Sequence, residues 1–472
     1  MRAPLLAQPA QRLQFWLFAL TLFFLPFELP IAQGLHGELF QTVGAALPFF
    51  FVGPVALYLA IALTTTRTPA AGVLRSEGLR DYALVGFLFV AVGVYACLTT
   101  FGDDGNIDGA LRELLLGYAV PVAVCGMILL LDQKDRRTIW AVFYAGYAAF
   151  LLVSFVFLYL GYRAGLQQGN AVLQLPFGIR VFMWRFTFLE PWNVYATYIG
   201  NSNKTSNNLI MFLLLSTRLL DADRIRTNPA VRRIYFSFWA LASITLVILF
   251  SRAALLLFPF VVIGAGVLRI VPRKVTIALG VALAVSIAIA GAAYSDALAY
   301  LFTSKALATD AGFLGTYGSR FDQWSDALRF AWERPRVLAV GLGTSGYSLR
   351  FFGDSLAGTH NTFLDAFFES GVGGVLLLAL VLVTTAALCL DRKRARPRDP
   401  LALGATLVLV LLMTREHSFA YLFATSLGGF CLAAIFFILA ERRLGFDDPS
   451  CDEARVAVDR PIFTIPALSE DR

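Results

Sequence analysis

The chain of 472 residues alternates between long apolar runs and short polar connections. A helix that crosses a bilayer needs about 20 consecutive, mostly apolar residues. Runs of this kind predict twelve membrane-spanning helices, at residues 13–31, 43–64, 82–101, 110–131, 138–162, 206–220, 234–250, 253–271, 275–293, 371–390, 401–416 and 419–440. The runs at 206–220 and 401–416 are the weakest of the set. The pattern therefore predicts an all-α polytopic membrane protein.

The basic residues of the connections test this count, because short cytoplasmic loops of membrane proteins collect lysine and arginine. With the N-terminus placed in the cytoplasm, every strongly basic short connection falls on the cytoplasmic side. These connections carry Arg67, Arg75 and Arg80; Lys134, Arg136 and Arg137; Arg224, Arg226, Arg232 and Arg233; Arg273 and Lys274; and the run from Arg392 to Arg398. The other side receives residues 33–41, which contain no Lys or Arg, and the acidic segment 103–108. We therefore expect both termini in the cytoplasm.

Two longer connections, 163–205 and 294–370, fall on the outer side. The second is the one long, partly polar insertion late in the chain, and we expect it to carry the chemistry. The predicted organisation is listed in chain order: a transmembrane bundle of about nine helices (1–293), a periplasmic catalytic loop (294–370), about three further transmembrane helices (371–440) and a polar, disordered cytoplasmic tail (441–472).

One segment of the long loop has helical periodicity. Phe321, Trp324, Leu328 and Ala331 recur at helical spacing, and Pro335 ends the pattern. This spacing predicts an amphipathic helix that lies on the membrane surface or packs against the bundle; a plain packing helix is the alternative.

Composition excludes two broad classes of protein. With 58% hydrophobic residues, 15% charged residues and a mean hydropathy of +0.69, the chain has too little polar surface for a soluble domain. The net charge of +7 comes from Lys and Arg scattered through short loops, whereas a nucleic-acid reader needs a basic face. Of the five cysteines, four lie in apolar runs, so neither a disulfide framework nor a CxxC metal site is predicted.

Two arginines near the predicted outer surface are candidates for binding phosphate. Arg252 opens an apolar run, and an ionisable group at the bilayer centre costs about 2.5–3.5 kcal/mol, so it faces a cavity or a partner unless it snorkels to the headgroups. Arg320 lies in the long loop. The planar guanidinium donates two hydrogen bonds at once and stays charged at any relevant pH, which suits a diphosphate.

His360 is the candidate for proton transfer, because imidazole titrates near neutral pH and accepts a hydroxyl proton. A structural or capping role is its alternative. Asn361, beside it, is a further candidate for substrate contact. His36 and His417 lack a comparable setting, and we interpret them as structural.

The carboxylates of the chain do not predict a metal site. Asp221-Ala222-Asp223 has the form of a metal-binding DxD motif, but it lies among basic residues on the predicted cytoplasmic side, which favours a helix terminus. No other carboxylate pair has metal-ligand spacing, so we expect chemistry without a metal or another cofactor.

Several short motifs follow one another in a set order across residues 234–390. They are Ser251-Arg252-Ala253; Gly318-Ser319-Arg320 with Trp324; Pro335 followed by Val340-Gly341-Leu342-Gly343; His360-Asn361-Thr362-Phe363-Leu364; and Glu369-Ser370-Gly371-Val372-Gly373-Gly374. This ordered set resembles the O-antigen ligase and O-antigen polymerase superfamily. Gly200-Asn201-Ser202-Asn203 is similar to the family's Asn-containing motif but lacks its usual Asn-Pro-Asn form.

The resemblance implies a GT-C-like bundle of about twelve helices in the bacterial inner membrane, with a large periplasmic loop over a lipid-facing cavity. It also implies an inverting, metal-independent glycosyltransferase that takes a glycan from undecaprenyl diphosphate. Arg252 and Arg320 would bind the diphosphate and stabilise the departing charge, and His360 would orient or deprotonate the acceptor hydroxyl. Arg185, in the other outer loop, would make a further phosphate or sugar contact.

The sequence leaves the acceptor open. A ligase uses the sugar of lipid A-core, a polymerase uses another lipid-linked repeat, and a protein-glycosylating relative uses Ser or Thr. The alternative from another class is a polysaccharide transporter or flippase. A transporter built from two related halves should carry its long loop centrally and in the cytoplasm, whereas both long loops here fall outside.

Overall fold

The computed structural model describes residues 7–27, 35–36, 77–101, 107–131, 133–163, 171–174, 180–187, 194–197, 202–249, 258, 261, 324–326, 328–344, 361–390, 400–414 and 426–444. Within these ranges, three helices are long and apolar enough to cross a membrane, at Gly78–Phe101, Asp135–Phe157 and Thr362–Leu390. Four shorter helical stretches are also apolar, at Phe18–Phe27, Leu114–Leu129, Leu401–Met413 and Gly428–Glu441. A helical membrane protein is therefore confirmed. The count of twelve spans stays a prediction, because spans 43–64, 253–271 and 275–293 fall wholly or almost wholly outside the described residues.

The helices, in chain order, are α1 (Ala7–Phe24, continued by a 3-10 turn at Leu25–Phe27), α2 (Glu77–Phe101), α3 (Ile107–Glu113), a π-helical turn (Leu114–Ala119), α4 (Val120–Leu130), α5 (Gln133–Arg163), α6 (Ser202–Leu219), α7 (Ala222–Thr227), α8 (Pro229–Leu249), α9 (Pro335–Val340), α10 (Thr362–Leu390), α11 (Pro400–Met413) and α12 (Ser426–Leu444). Every described helix longer than ten residues overlaps a predicted span. This includes α6 and α11, whose apolar runs were the weakest.

Four short strands depart from the all-α expectation. They are β1 (Leu35–His36), β2 (Ala171–Gln174), β3 (Arg180–Thr187) and β4 (Val194–Thr197). Each of the other three pairs antiparallel with β3, and β1 places Leu35 opposite Val181. A search for apolar runs of about 20 residues passes over strands of two to eight residues, so the pattern did not predict them. The sheet joins the predicted outer segment 33–41 to the predicted outer loop 163–205.

Aromatic side chains on α5, α6, α8 and α12 form the centre of the core. The ring centroids of Phe143 and Phe212 lie 5.0 Å apart, and those of Tyr144 and Phe238 lie 4.9 Å apart. Trp140 packs on Phe430 with 5.6 Å between centroids. Aromatic pairs at these distances contribute about 0.5–1.5 kcal/mol each beyond the area they bury. This core holds α5, α6, α8 and α12 together.

Ion pairs gather several helix ends at one end of the bundle. Arg137 Nη1 lies 2.6 Å from Asp221 Oδ2, and Arg136 Nη1 lies 3.6 Å from Glu441 Oε1. The start of α5, the turn before α7 and the end of α12 therefore share this end, which we call the basic end. Asp221 also caps α7 by accepting a hydrogen bond from the Asp223 N–H at 3.2 Å. The interpretation of Asp221-Ala222-Asp223 as a helix terminus is confirmed.

The opposite end, here the loop end, holds the end of α2 and the start of α10. Helix α2 runs antiparallel to α4, since Gly126 lies against Tyr82 and Gly93 lies against Tyr118. Because α4 leads directly into α5 at the basic end, α2 must finish at the other end. Strands β2, β3 and β4 lie between the end of α5 and the start of α6, so the sheet also belongs to the loop end. The described parts of the predicted outer loops thus share one end, as the charge pattern predicts.

Candidate functional site

The first turn of α10 is fixed by Asn361. Its Oδ1 accepts hydrogen bonds from the N–H groups of Phe363 at 3.0 Å and Leu364 at 3.2 Å. These bonds satisfy amides that have no partner inside the helix. The Asn361 Nδ2 donates to the Thr414 carbonyl at 3.3 Å, immediately after α11. Asn361 therefore ties the start of α10 to the end of α11.

This geometry gives Asn361 a structural role that sequence reasoning missed. Replacing Asn361 with alanine should lower the free energy of unfolding by about 1 kcal/mol, the usual effect of losing an N-cap. Asn361→Asp keeps the acceptor oxygens and should retain most of the stability. Thermal unfolding of the purified protein in detergent measures both variants. Equal destabilisation by the two substitutions would contradict the capping role.

Helix α10 is broken at Gly371, where φ is 64° and ψ is −163°. We call residues 362–370 the short arm and residues 372–390 the long arm. A break of this kind removes the helical donors from the carbonyls of the preceding turn. Two backbone amides from another segment replace them: Leu342 N–H donates to Phe368 O at 2.6 Å, and Gly343 N–H donates to Glu369 O at 3.0 Å.

The segment that supplies these amides, Gly341–Thr344, is anchored on the end of α2. The Thr344 N–H donates to Thr100 Oγ1 at 2.8 Å, and the Thr99 hydroxyl donates to Glu369 O at 3.2 Å. Gly341 and Gly343 have φ of 79° and 76°, a region that favours glycine. We call this contact of 341–344 with residues 368–371 and Thr99–Thr100 the joint. Two motifs of the sequence, Val340-Gly341-Leu342-Gly343 and Glu369-Ser370-Gly371, therefore meet in space.

The predicted amphipathic helix packs against the bundle. Residues 328–332 are helical, and buried Ala331 contacts a small core with Val337 of α9 and Phe368 of the short arm. Pro335 ends the first pattern and also starts α9, at a position that needs no N–H donor. The side chain of Trp332 is 77% exposed. The loop thus reaches the short arm both through this small core and through the joint.

Buried carboxylates lie on the other side of the short arm. Glu369, which is 4% exposed, lines a partly open cavity with Tyr118 of the π-helical turn and Ser370. Glu113, 6% exposed, directly precedes that turn. Buried ionisable groups in membrane helices and π-helical turns are both frequent at functional sites. Sequence reasoning passed over Glu113, although a lone acid at the edge of an apolar run was the available signal. Within the described part of the chain, no three His, Cys, Asp or Glu side chains come together as metal ligands.

The predicted catalytic residues His360, Arg320 and Arg252 lie outside the described residues. His360 directly precedes Asn361 in the chain, so its neighbour is the cap of the short arm. The backbone of Arg185 lies in β3 opposite Ala196 of β4. The fold thus brings Arg185 and Asn361, which are far apart in sequence, to the loop end.

Residues 236–379 match the O-antigen ligase family. This segment is similar to that family. It extends from α8 into the long arm of α10 and covers less than a third of the chain. It contains Arg252, Arg320, His360 and two of the three parts of the joint, 341–344 and 368–371, whereas Thr99 and Thr100 lie outside it. The resemblance carried by the ordered motifs is therefore confirmed. No curated protein sequence matches the chain. The match favours an activity of O-antigen ligase or polymerase type.

Proposed function

We propose that the protein is an inverting glycosyltransferase that moves a glycan from undecaprenyl diphosphate to an acceptor hydroxyl, with lipid A-core as the acceptor. The observation that carries this proposal is the family match at residues 236–379, because this segment contains every predicted catalytic residue together with the first part of the helix that starts beside His360. The loop end would face the periplasm of a bacterial inner membrane. The basic end and both termini would face the cytoplasm, in agreement with the distribution of Lys and Arg.

In the proposed reaction, the acceptor oxygen attacks the anomeric carbon while the bond from that carbon to the diphosphate oxygen breaks. His360 orients the hydroxyl and takes its proton. The electron pair of the broken bond leaves with the diphosphate, whose charge Arg252 and Arg320 stabilise. Attack on the face opposite the leaving group inverts the anomeric configuration. Arg185 adds a contact to phosphate or sugar from the sheet.

The fold supports this arrangement through the short arm, which precedes the break in α10 and follows His360. Asn361 holds its first turn on α11, and the joint holds its last turn on α2. Two anchored ends restrict the backbone next to His360. A general base needs such restriction, because proton transfer requires hydrogen-bond distance to the acceptor hydroxyl.

A transfer assay tests the proposed function. The purified protein is incubated with a lipid-diphosphate-linked glycan and either lipid A-core or a second lipid-linked glycan, with and without a chelator. We expect cleavage from the lipid, a glycan joined to lipid A-core, and the same rate with the chelator. Extension of the second lipid-linked glycan would identify a polymerase instead. Movement of the intact lipid across a vesicle membrane without bond cleavage would show a flippase and overturn the proposal.

Arg320→Ala should lower the transfer rate roughly 10²- to 10³-fold, the usual effect of losing one donor that stabilises developing negative charge. Arg320→Lys keeps a charge but not the two-pronged guanidinium, so an intermediate rate is expected. Arg329→Ala is the matched control, because Arg329 is an exposed arginine of the same loop. Initial rates at saturating acceptor measure all three. A control that loses as much activity as Arg320→Ala would contradict a specific role for Arg320.

A further inference from the structure

We propose that Thr100 is a positioning residue for the transfer reaction, acting through the joint to set the orientation of the short arm and therefore of His360. The inference rests on the proposed function. It assigns a role to the end of α2, which lies outside the segment that matches the O-antigen ligase family, residues 236–379.

The short arm is a helical segment separate from the long arm. Its backbone is not continuous with the long arm, because Gly371 leaves the helical conformation. The carbonyls of its last turn bond to Leu342 and Gly343 of the loop. Its direction therefore depends on where residues 341–344 lie.

Thr100 fixes that position. It is 0% exposed, its Oγ1 accepts the Thr344 N–H at 2.8 Å, and it lies 3.2 Å from Thr344 Oγ1. The same hydroxyl donates to the Ala96 carbonyl at 2.7 Å, which anchors it to α2. Backbone contact is close as well, since a Cβ added to Gly343 would lie 3.0 Å from Thr100 Cα. Thr344 is 1% exposed, so its amide would have no water to replace Thr100.

Because the short arm is long, a small change of its angle at the joint displaces its first residue by a larger distance. Nine helical residues span about 13 Å, so a tilt of about 5° moves the tip by roughly 1 Å. A misplacement of that size at a reacting group can lower a rate by about 10²-fold. A change at Thr100 should therefore displace His360 without altering any group that touches the substrate.

Thr100→Val and its matched control Thr385→Val test the inference. Both threonines are 0% exposed, and both hydroxyls bond to a carbonyl four residues earlier, at 2.7 Å. Of these two threonines, only Thr100 is part of the joint, where it accepts the Thr344 N–H. We expect Thr100→Val to lower kcat roughly ten- to a hundredfold with the donor KM unchanged, and Thr385→Val to leave both constants near wild type. Thr100→Ser, which keeps the hydroxyl, should restore most of the rate.

A wild-type kcat in Thr100→Val would overturn the inference, as would equal losses in Thr385→Val or a failure of Thr100→Ser to restore the rate. A second measurement does not depend on catalysis. In a chain whose five native cysteines are replaced, the pair Asn361→Cys and Thr414→Cys reports by oxidative cross-linking whether the tip of the short arm stays beside α11. The Asn361 cap is absent equally from every protein compared in this measurement. Cross-linking should fall when Thr100→Val is added, but not when Thr385→Val is added. If wild type transfers no glycan the proposed function fails, while unchanged cross-linking shows separately that Thr100 does not position the arm.

Discussion

Replacing His360 with alanine is expected to lower kcat for glycan transfer about 10²- to 10⁴-fold, the range that a positioned general acid or base contributes. The acceptor hydroxyl is a weak nucleophile while it keeps its proton, and in the proposed site no other imidazole is assigned to take that proton. Binding of the lipid-linked donor should change little, because the arginines hold the diphosphate. Initial rates at saturating donor and acceptor, with donor affinity measured separately, check both statements.

His417→Ala is the control for this experiment. His417 lacks a setting like that of His360 and is interpreted as structural, so its replacement should leave kcat close to wild type. Added imidazole that restores part of the rate to His360→Ala, but not to Arg320→Ala, would support proton transfer as the lost step. A His360→Ala protein that transfers glycan near the wild-type rate would remove His360 from the mechanism.

The apolar runs of the sequence predicted the described helices well because the bilayer imposes one strong rule. A spanning segment must be apolar over about 20 residues whatever it packs against. The first residues of the helices were predicted less accurately than the helices themselves. Span 371–390 begins nine residues after Thr362, where α10 starts, because Asp365, Glu369 and Ser370 interrupt the apolar run. In the structure, the Asn361 cap marks that start.

The joint could not be predicted in the same way. Thr100 and Thr344 are 244 positions apart, and no periodicity within either segment encodes their contact. From the sequence alone, Val340-Gly341-Leu342-Gly343 is only one of the ordered motifs. Its glycines are explained only by the fold, which places the turn against the broken end of the short arm. The β-sheet escaped prediction for a related reason, because its strands depend on β3 as a partner and not on their own apolar length.

The chemistry of the site was more accessible to sequence reasoning than its geometry. Arginine suits diphosphate and histidine suits proton transfer wherever they lie, so Arg320 and His360 stood out by residue type. What residue type does not supply is a means of holding them in place. The described structure adds two such means, the Asn361 cap and the joint, and both act on the helix that follows His360.

Replacing Gly371 with alanine should destabilise the protein by about 3 kcal/mol or more. At φ 64° and ψ −163°, Gly371 occupies a region that is essentially restricted to glycine, and a side chain there costs about 1–3 kcal/mol. An added Cβ would also press against the Ala339 carbonyl and lie 2.6 Å from the Val340 nitrogen. Both are backbone atoms, which cannot move away as a flexible side chain could. The clash therefore adds an overpacking cost of about 1–3 kcal/mol. The transfer rate should fall as well, because relief of the clash must displace the joint.

Gly404→Ala is the matched control, since an added Cβ at that position of α11 meets nothing within 4 Å. Alanine in a helix interior is favoured over glycine, so this variant should gain about 0.5–1 kcal/mol. Thermal unfolding in detergent compares the two proteins with wild type, and the melting temperatures should move in opposite directions. If Gly371→Ala instead melts with Gly404→Ala, α10 tolerates a side chain at its break. The short arm would then be an ordinary continuation of the helix, and neither the joint nor Thr100 would be needed to aim it.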